Sequence, residues 1–134
     1  MISKRHEIIP LEGTNQIKLG TDRTVARKML SELFSRSFRR GQVEFDDFNW
    51  FHLSYDSDNK IDAIEFFDPS EVYFQGTNLI NLDKNECRNI LMEVDPDLEL
   101  ERDVGMTSKK FQLGVYAPYE VVESVLVGVK NYYH

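Results

Sequence analysis

A chain of 134 residues, 41% of them hydrophobic, is long enough for one domain with its own core, too short for two, and too apolar to stay disordered. Its 23 acidic residues against 16 basic ones give a formal net charge of −7, which repels a phosphate backbone and suits either a basic partner or plain solubility. One cysteine excludes an internal disulfide, and no apolar run approaches the roughly 20 residues of a membrane span. The charged N-terminus lacks the apolar stretch of a signal peptide, so a reducing, cytosolic home is expected.

Thr21 and Asp22 predict a helix start, because their side chains can accept bonds from free backbone N–H groups. Val25, Ala26, Met29, Leu30, Leu33, Phe34 and Phe38 follow at helical spacing. Arg39 and Arg40 suit the negative end of the dipole, and Gly41 is a stop. The period then changes: Phe51, Leu53 and Tyr55 alternate with His52 and Ser54, which predicts a strand. After a turn at residues 56–59, residues 61–67 return as a second strand and residues 72–76 as a third. A second helix begins at Asp83, with Glu86 in capping-box spacing and Cys87, Ile90, Leu91 and Val94 as its buried stripe. Asp95-Pro96 ends it. Residues 98–103, 111–116 and 121–129 supply the remaining strands, the last apolar on both sides and therefore central.

Set against each other at an offset of about 61 residues, the two halves correspond. Residues 22–30 lie over 83–91, 51–53 over 111–113, and 61–64 over 122–125. The reading is a single α+β domain, 1–134, with pseudo-repeats at about 17–76 and 77–134. Its predicted architecture is an antiparallel sheet with two helices packed on one face, built from a duplicated helix-hairpin unit; the other face is left to water or to a partner.

No cofactor or metal is expected, and the chain reads as a binding protein rather than an enzyme. His6, His52 and His134 lack companions at metal-ligand spacing, and His52 on the polar side of a strand reads as a solvated or hydrogen-bonded imidazole. The seven glycines never form a phosphate-cradling loop, and Asp56 and Asp58 lack the glycine and distal glutamate of a calcium loop. Arg36, Arg39 and Arg40 are explained by the helix dipole, so nucleic acid is not an expected partner. The stretch Glu44, Phe45, Asp46, Asp47, Phe48, Asn49, Trp50 interleaves carboxylates with aromatics. It reads either as core with a solvated acidic edge or as a surface that docks a basic cleft. Asp56, Asp58, Asp62 and Glu65 form a second acidic group. The expected partner-binding residues are Glu44, Asp46, Asp47, Trp50, Tyr55, Asp56, Asp58 and Asp62.

The stretch from Ile17 through Gly20, Thr21 and Asp22 into Ala26, Arg27 and Leu30 resembles the strand-turn-helix opening of many small bacterial α+β proteins. The tandem plan is similar to that of β-lactamase-inhibitor-like proteins. It also resembles small acidic immunity proteins encoded beside contact-dependent growth-inhibition and other polymorphic toxins. The secreted inhibitors carry disulfides that Cys87 alone cannot supply, so their location and target are not implied. The immunity resemblance implies a cytoplasmic protein that binds a basic toxin domain, often a nuclease, and blocks its active site or cleft. The alternative is a small-molecule-binding or regulatory domain with an apolar pocket at Phe66 and Phe74 on the open sheet face.

Overall fold

Strands, not helices, carry this chain. In the computed structural model, which describes residues 2–134, 42% of residues are strand and 14% helix, in two sheets and two short helices. The predicted class, α+β with helices packed on a sheet, is therefore corrected to a mostly β protein. The first half contains β1 (Arg5–Ile9), β2 (Gly13–Thr14), α1 (Arg23–Met29), β3 (Arg36–Arg40), β4 (Val43–Asp47), β5 (Phe51–Tyr55) and β6 (Ile61–Phe67). The second contains β7 (Glu71–Phe74), β8 (Thr77–Asn78), α2 (Lys84–Val94), β9 (Glu99–Glu101), β10 (Gly105–Ser108), β11 (Leu113–Tyr116) and β12 (Ser124–Gly128). The unit that recurs is thus a short hairpin, a helix and four strands, larger than the helix-hairpin expected.

The large sheet runs β3-β4-β5-β6-β12-β11-β10-β9 and the small one β2-β1-β7-β8, every neighbour antiparallel except β1 and β7. The halves therefore meet where β6 pairs with β12, and each sheet reads alike from either end. The match is closest where each helix starts. Gly20 N–H donates to the Ile61 carbonyl, Ile61 N–H to Thr21, and Arg23 N–H to Asn59. In the second half Asn81 donates to Val122, Val122 to Leu82, and Lys84 to Glu120, each residue 61 positions further on. Gly20 and Asn81 both adopt positive φ (85° and 66°), the left-handed turn that glycine and asparagine tolerate. Asp22 and Asp83 then cap the helices, accepting from Thr24 N–H and from the N–H groups of Asn85 and Glu86.

One face of the large sheet is core. Ile64 stands opposite Leu53 and Val127, and Phe66 opposite Phe51 and Val125, all buried. Ala26 of α1, the Leu30 that caps its C-terminus, and Cys87 and Leu91 of α2 join the same cluster, with Val72 and Phe74 of the small sheet. The helix predicted to reach Gly41 stops at Met29, and residues 36–40 are an edge strand. Leu33, Phe34 and Phe38 fit helical spacing, but Arg36, Phe38 and Arg40 also alternate. Pairing wins because Phe38 stacks on Phe45 across the hairpin (centroids 5.1 Å apart, planes 8° apart). Gly41, at φ 61°, turns that hairpin instead of ending a helix.

His6 is fully buried against Phe66 and Phe51, with Nδ1 3.2 Å from the Thr14 hydroxyl and Nε2 unpartnered. Burial lowers its pKa from 6.5 to about 4. The unfolded chain thus takes up this proton before the folded one does, so stability present above 6.5 is lost as pH falls toward 4. The expected loss over that window is about 3 kcal/mol. In His6→Gln the one-proton slope of unfolding free energy against pH disappears; urea titrations at several pH values that kept the slope would refute the assignment.

Candidate docking face

Because side chains alternate along strands, the face of the large sheet away from the core is set by register. Three transverse rows run across it. The first is Phe38, Phe45, Ser54, Ala63 and Gly128. The second crosses all eight strands: Arg36, Asp47, His52, Glu65, Leu126, Gly114, Thr107 and Glu99. The third is Phe67, Ser124, Tyr116, Gly105 and Glu101. Neither helix covers these rows. Three hollows open on this outer face. The largest, about 500 Å³, is lined by Asp47, His52, Glu65, Phe67, Tyr116 and Glu123 among others. One of about 210 Å³ lies beside Phe45, Leu126 and Tyr132, and one of about 170 Å³ beside Glu101, Thr107 and Tyr133.

His52 sits between two carboxylates, Nε2 3.6 Å from Asp47 and Nδ1 3.4 Å from Glu65, with Phe38 and Phe67 edge-on to its ring at 4.9 Å. At these lengths the contacts are ion-pair distances rather than well-formed hydrogen bonds. His52 still does most to hold the Glu65 carboxyl below its ordinary range, and Arg40, 3.8 Å away, assists. Arg36 stands 3.8 Å from Asp47, so Asp47 and Glu65 each have an arginine within ion-pair distance. Among the described residues no three His, Cys, Asp or Glu side chains are grouped to hold a metal ion, and no helix is long and apolar enough to cross a membrane.

The C-terminal residues lie across this face, Tyr133 over β11 and Tyr132 at the β6–β12 seam. Tyr133 N–H donates to Gln112 Oε1 at 2.6 Å, and Gln112 returns a bond to the Tyr133 carbonyl. The Tyr133 hydroxyl fills the space a Cβ would need at Gly114, and the Tyr132 ring does the same at Gly128. Gly114→Ala is expected to push Tyr133 off the sheet and break the Gln112 bonds, at a cost of about 1–3 kcal/mol. An unshifted Tyr133 amide resonance with an unchanged melting temperature would contradict this packing.

The eight expected partner-binding residues do not converge. Asp46 and Tyr55 are corrected outright: both are buried on the core side, Tyr55 donating to Asp46 at 2.9 Å, and neither reaches a partner. Glu44 is exposed on that same helix side, 3.6 Å from Arg23 and 3.8 Å from Arg39. Trp50 lies at the β4–β5 turn, half-buried beneath the Lys4 ammonium. The Asp56 carboxylate closes the β5–β6 turn by accepting from Asp58 and Lys60 N–H, and Asp58 stands exposed beside it. Asp62, raised in pKa foremost by burial, accepts from Ser54 at the margin of the outer face. Asp47 lines the hollow of about 500 Å³ on the outer face. Phe66 and Phe74 are also corrected, being 0% and 2% exposed in the core and not on the open sheet face. Of the two readings of the acidic-aromatic stretch, Phe48 belongs to the core and Phe45 to the outer face.

Glu65 and His52 were visible as polar positions on strands, but Phe67, Tyr116, Glu123, Tyr132 and Tyr133 carried no sequence signal of their own. Strand register is the signal that unites them, because it places Phe38 and Gly128, about 90 positions apart, in one row. Compared with protein-family models, curated proteins and solved structures, the chain matches none.

Proposed function

We propose that this chain is an immunity protein that binds a cognate toxin domain, a nuclease being the favoured class, and blocks its active site or substrate cleft. It acts in the cytosol, where Cys87 stays reduced. The docking surface in this reading is the outer face of the large sheet, not the acidic turns. One observation carries it: a sheet face uncovered by either helix presents Phe38, Phe45, Phe67, Tyr116, Tyr132 and Tyr133 around three open hollows. Aromatics with polar tips or rims are the side chains that dominate protein interfaces, and a sheet face of this kind is large enough to seat a folded domain. The net charge of −7 adds long-range attraction for the basic cleft of a nucleic-acid enzyme.

The test is co-expression with the toxin domain encoded by the neighbouring gene. Growth should be rescued and a one-to-one complex should survive gel filtration. Continued toxicity, together with separate elution of the two proteins, would remove the immunity reading.

A further inference from the structure

The outer face is electrically lopsided, and this deepens the reading above by fixing which way round the partner sits. On the β3–β6 half the two acids of the second row each have an arginine 3.8 Å away, Asp47 with Arg36 and Glu65 with Arg40, and His52 lies between them, while Asp62 at the margin is bonded by the Ser54 hydroxyl. What this half offers is aromatic and free of unpaired acids in the second row: the stacked Phe38 and Phe45, with the Arg36 guanidinium 4.9 Å over Phe38 and that of Arg40 5.2 Å from both rings, and Phe67 beyond His52. On the β9–β12 half the balance differs. Glu99 is paired to Lys109 at 3.1 Å, but Glu101 and Glu123 have no basic side chain within ion-pair distance among the described residues. Among the described residues, the one side-chain bond to Glu101 comes from the Thr107 hydroxyl. Both acids stand exposed beside Tyr116, itself 50% exposed, at the rims of adjoining hollows that share Tyr116 and Ser124.

We infer that the docking face takes a partner carrying a cationic patch next to an apolar one, its arginine or lysine side chains seated over Glu101, Tyr116 and Glu123 and its apolar anchor over Phe38, Phe45 and Phe67. An unpaired carboxylate beside an exposed tyrosine ring offers a guanidinium both a charge partner and a face to stack on. The paired acids of the other half gain less from a further cation, since each already has one. Attraction from the uncompensated half also orients the partner before contact, as charge asymmetry does in steered association.

The inference rests on the proposed docking function but is tested first without the toxin. An acetylated Gly-Arg-Gly-Arg-Gly amide is titrated into the ¹⁵N-labelled protein, and amide shifts are followed by NMR. The largest shifts are expected at Glu101, Thr107, Tyr116 and Ser124, with few at Asp56 and Asp58, which are equally exposed acids on a turn. E101K/E123K should weaken the peptide by roughly tenfold, whereas D56K/D58K should not. Shifts spread evenly over all acidic turns, or unchanged in E101K/E123K, would overturn the inference. With the toxin domain itself, E101K/E123K should slow association and flatten its salt dependence. A complex indifferent to that pair would refute the orientation and leave the docking face standing. A wild-type protein that fails to bind the toxin, yet shows the localised peptide shifts, would refute the immunity reading alone.

Discussion

Asp46→Ala is expected to lower the stability of the fold by about 3–5 kcal/mol, the largest effect of any single polar substitution in the chain. The carboxylate is fully buried, yet it accepts from Arg27 Nε and a terminal guanidinium nitrogen at 2.8 Å, from Arg23 at 3.1 Å, from Ser37 at 2.8 Å and from Tyr55 at 2.9 Å. Burial on its own would raise its pKa; the bonds from Arg27, Ser37, Arg23 and Tyr55 outweigh that and hold the carboxyl well below the usual range. Removing it leaves the Arg23 guanidinium, 13% exposed, and the Tyr55 hydroxyl without their acceptor. It also cuts the tie between α1 and the β3–β5 end of the sheet, since Arg23 and Arg27 are helix residues and Ser37 and Tyr55 are strand residues. Urea unfolding reads the cost directly, and a loss below about 1 kcal/mol would mean the network is dispensable. The pH sign is the acid one. Asp46 contributes stability above its unfolded value of 3.8 and loses it as pH falls toward its folded value, a window below that of His6.

Removing two aromatics from the proposed docking face, Phe67→Ala with Tyr116→Ala, is expected to weaken the proposed toxin complex roughly a thousandfold, taking about 2 kcal/mol for each anchor. The pair share the third transverse row, separated by Ser124 alone, and flank the hollow of about 500 Å³. Their centres are about two strand spacings, roughly 10 Å, apart, so their effects should be close to additive. Tyr116 is half-exposed and Phe67 packs on His52 at the surface, so the melting temperature of the free protein should barely move. Isothermal titration against the toxin domain, with the thermal melt as control, separates loss of binding from loss of fold. A loss of less than tenfold would place the interface elsewhere. Charge reversal at Asp56 and Asp58, at the far turn, should leave affinity within about twofold.

What the sequence disclosed about this fold was local, and what it concealed was register. Asp22 and Asp83 announced helix starts because a cap is a chemical signal contained within three or four residues. The stretch from Phe34 to Arg40 misled because an apolar residue every third or fourth position is compatible with a helix until a partner strand is known. Phe45 supplies that partner, and its stacking with Phe38 is invisible without the hairpin. Val43–Asp47 and Gly105–Ser108 were passed over as strands for a related reason: one is dense in acids, the other short and polar, and each pairs on both sides. The candidate site suffered most. Asp46 and Asp47 are neighbours in sequence with similar surroundings, yet the pleat sends one into the core and the other to the outer face.

The seam between β6 and β12 also determines how the molecule comes apart. Ile64 and Phe66 from one half and Val125 and Val127 from the other belong to a single buried cluster that includes residues of both helices and both sheets. Either half taken alone would present the inner side of its seam strand to water. Although its architecture repeats, the two halves share one core, so a single cooperative unfolding transition is expected.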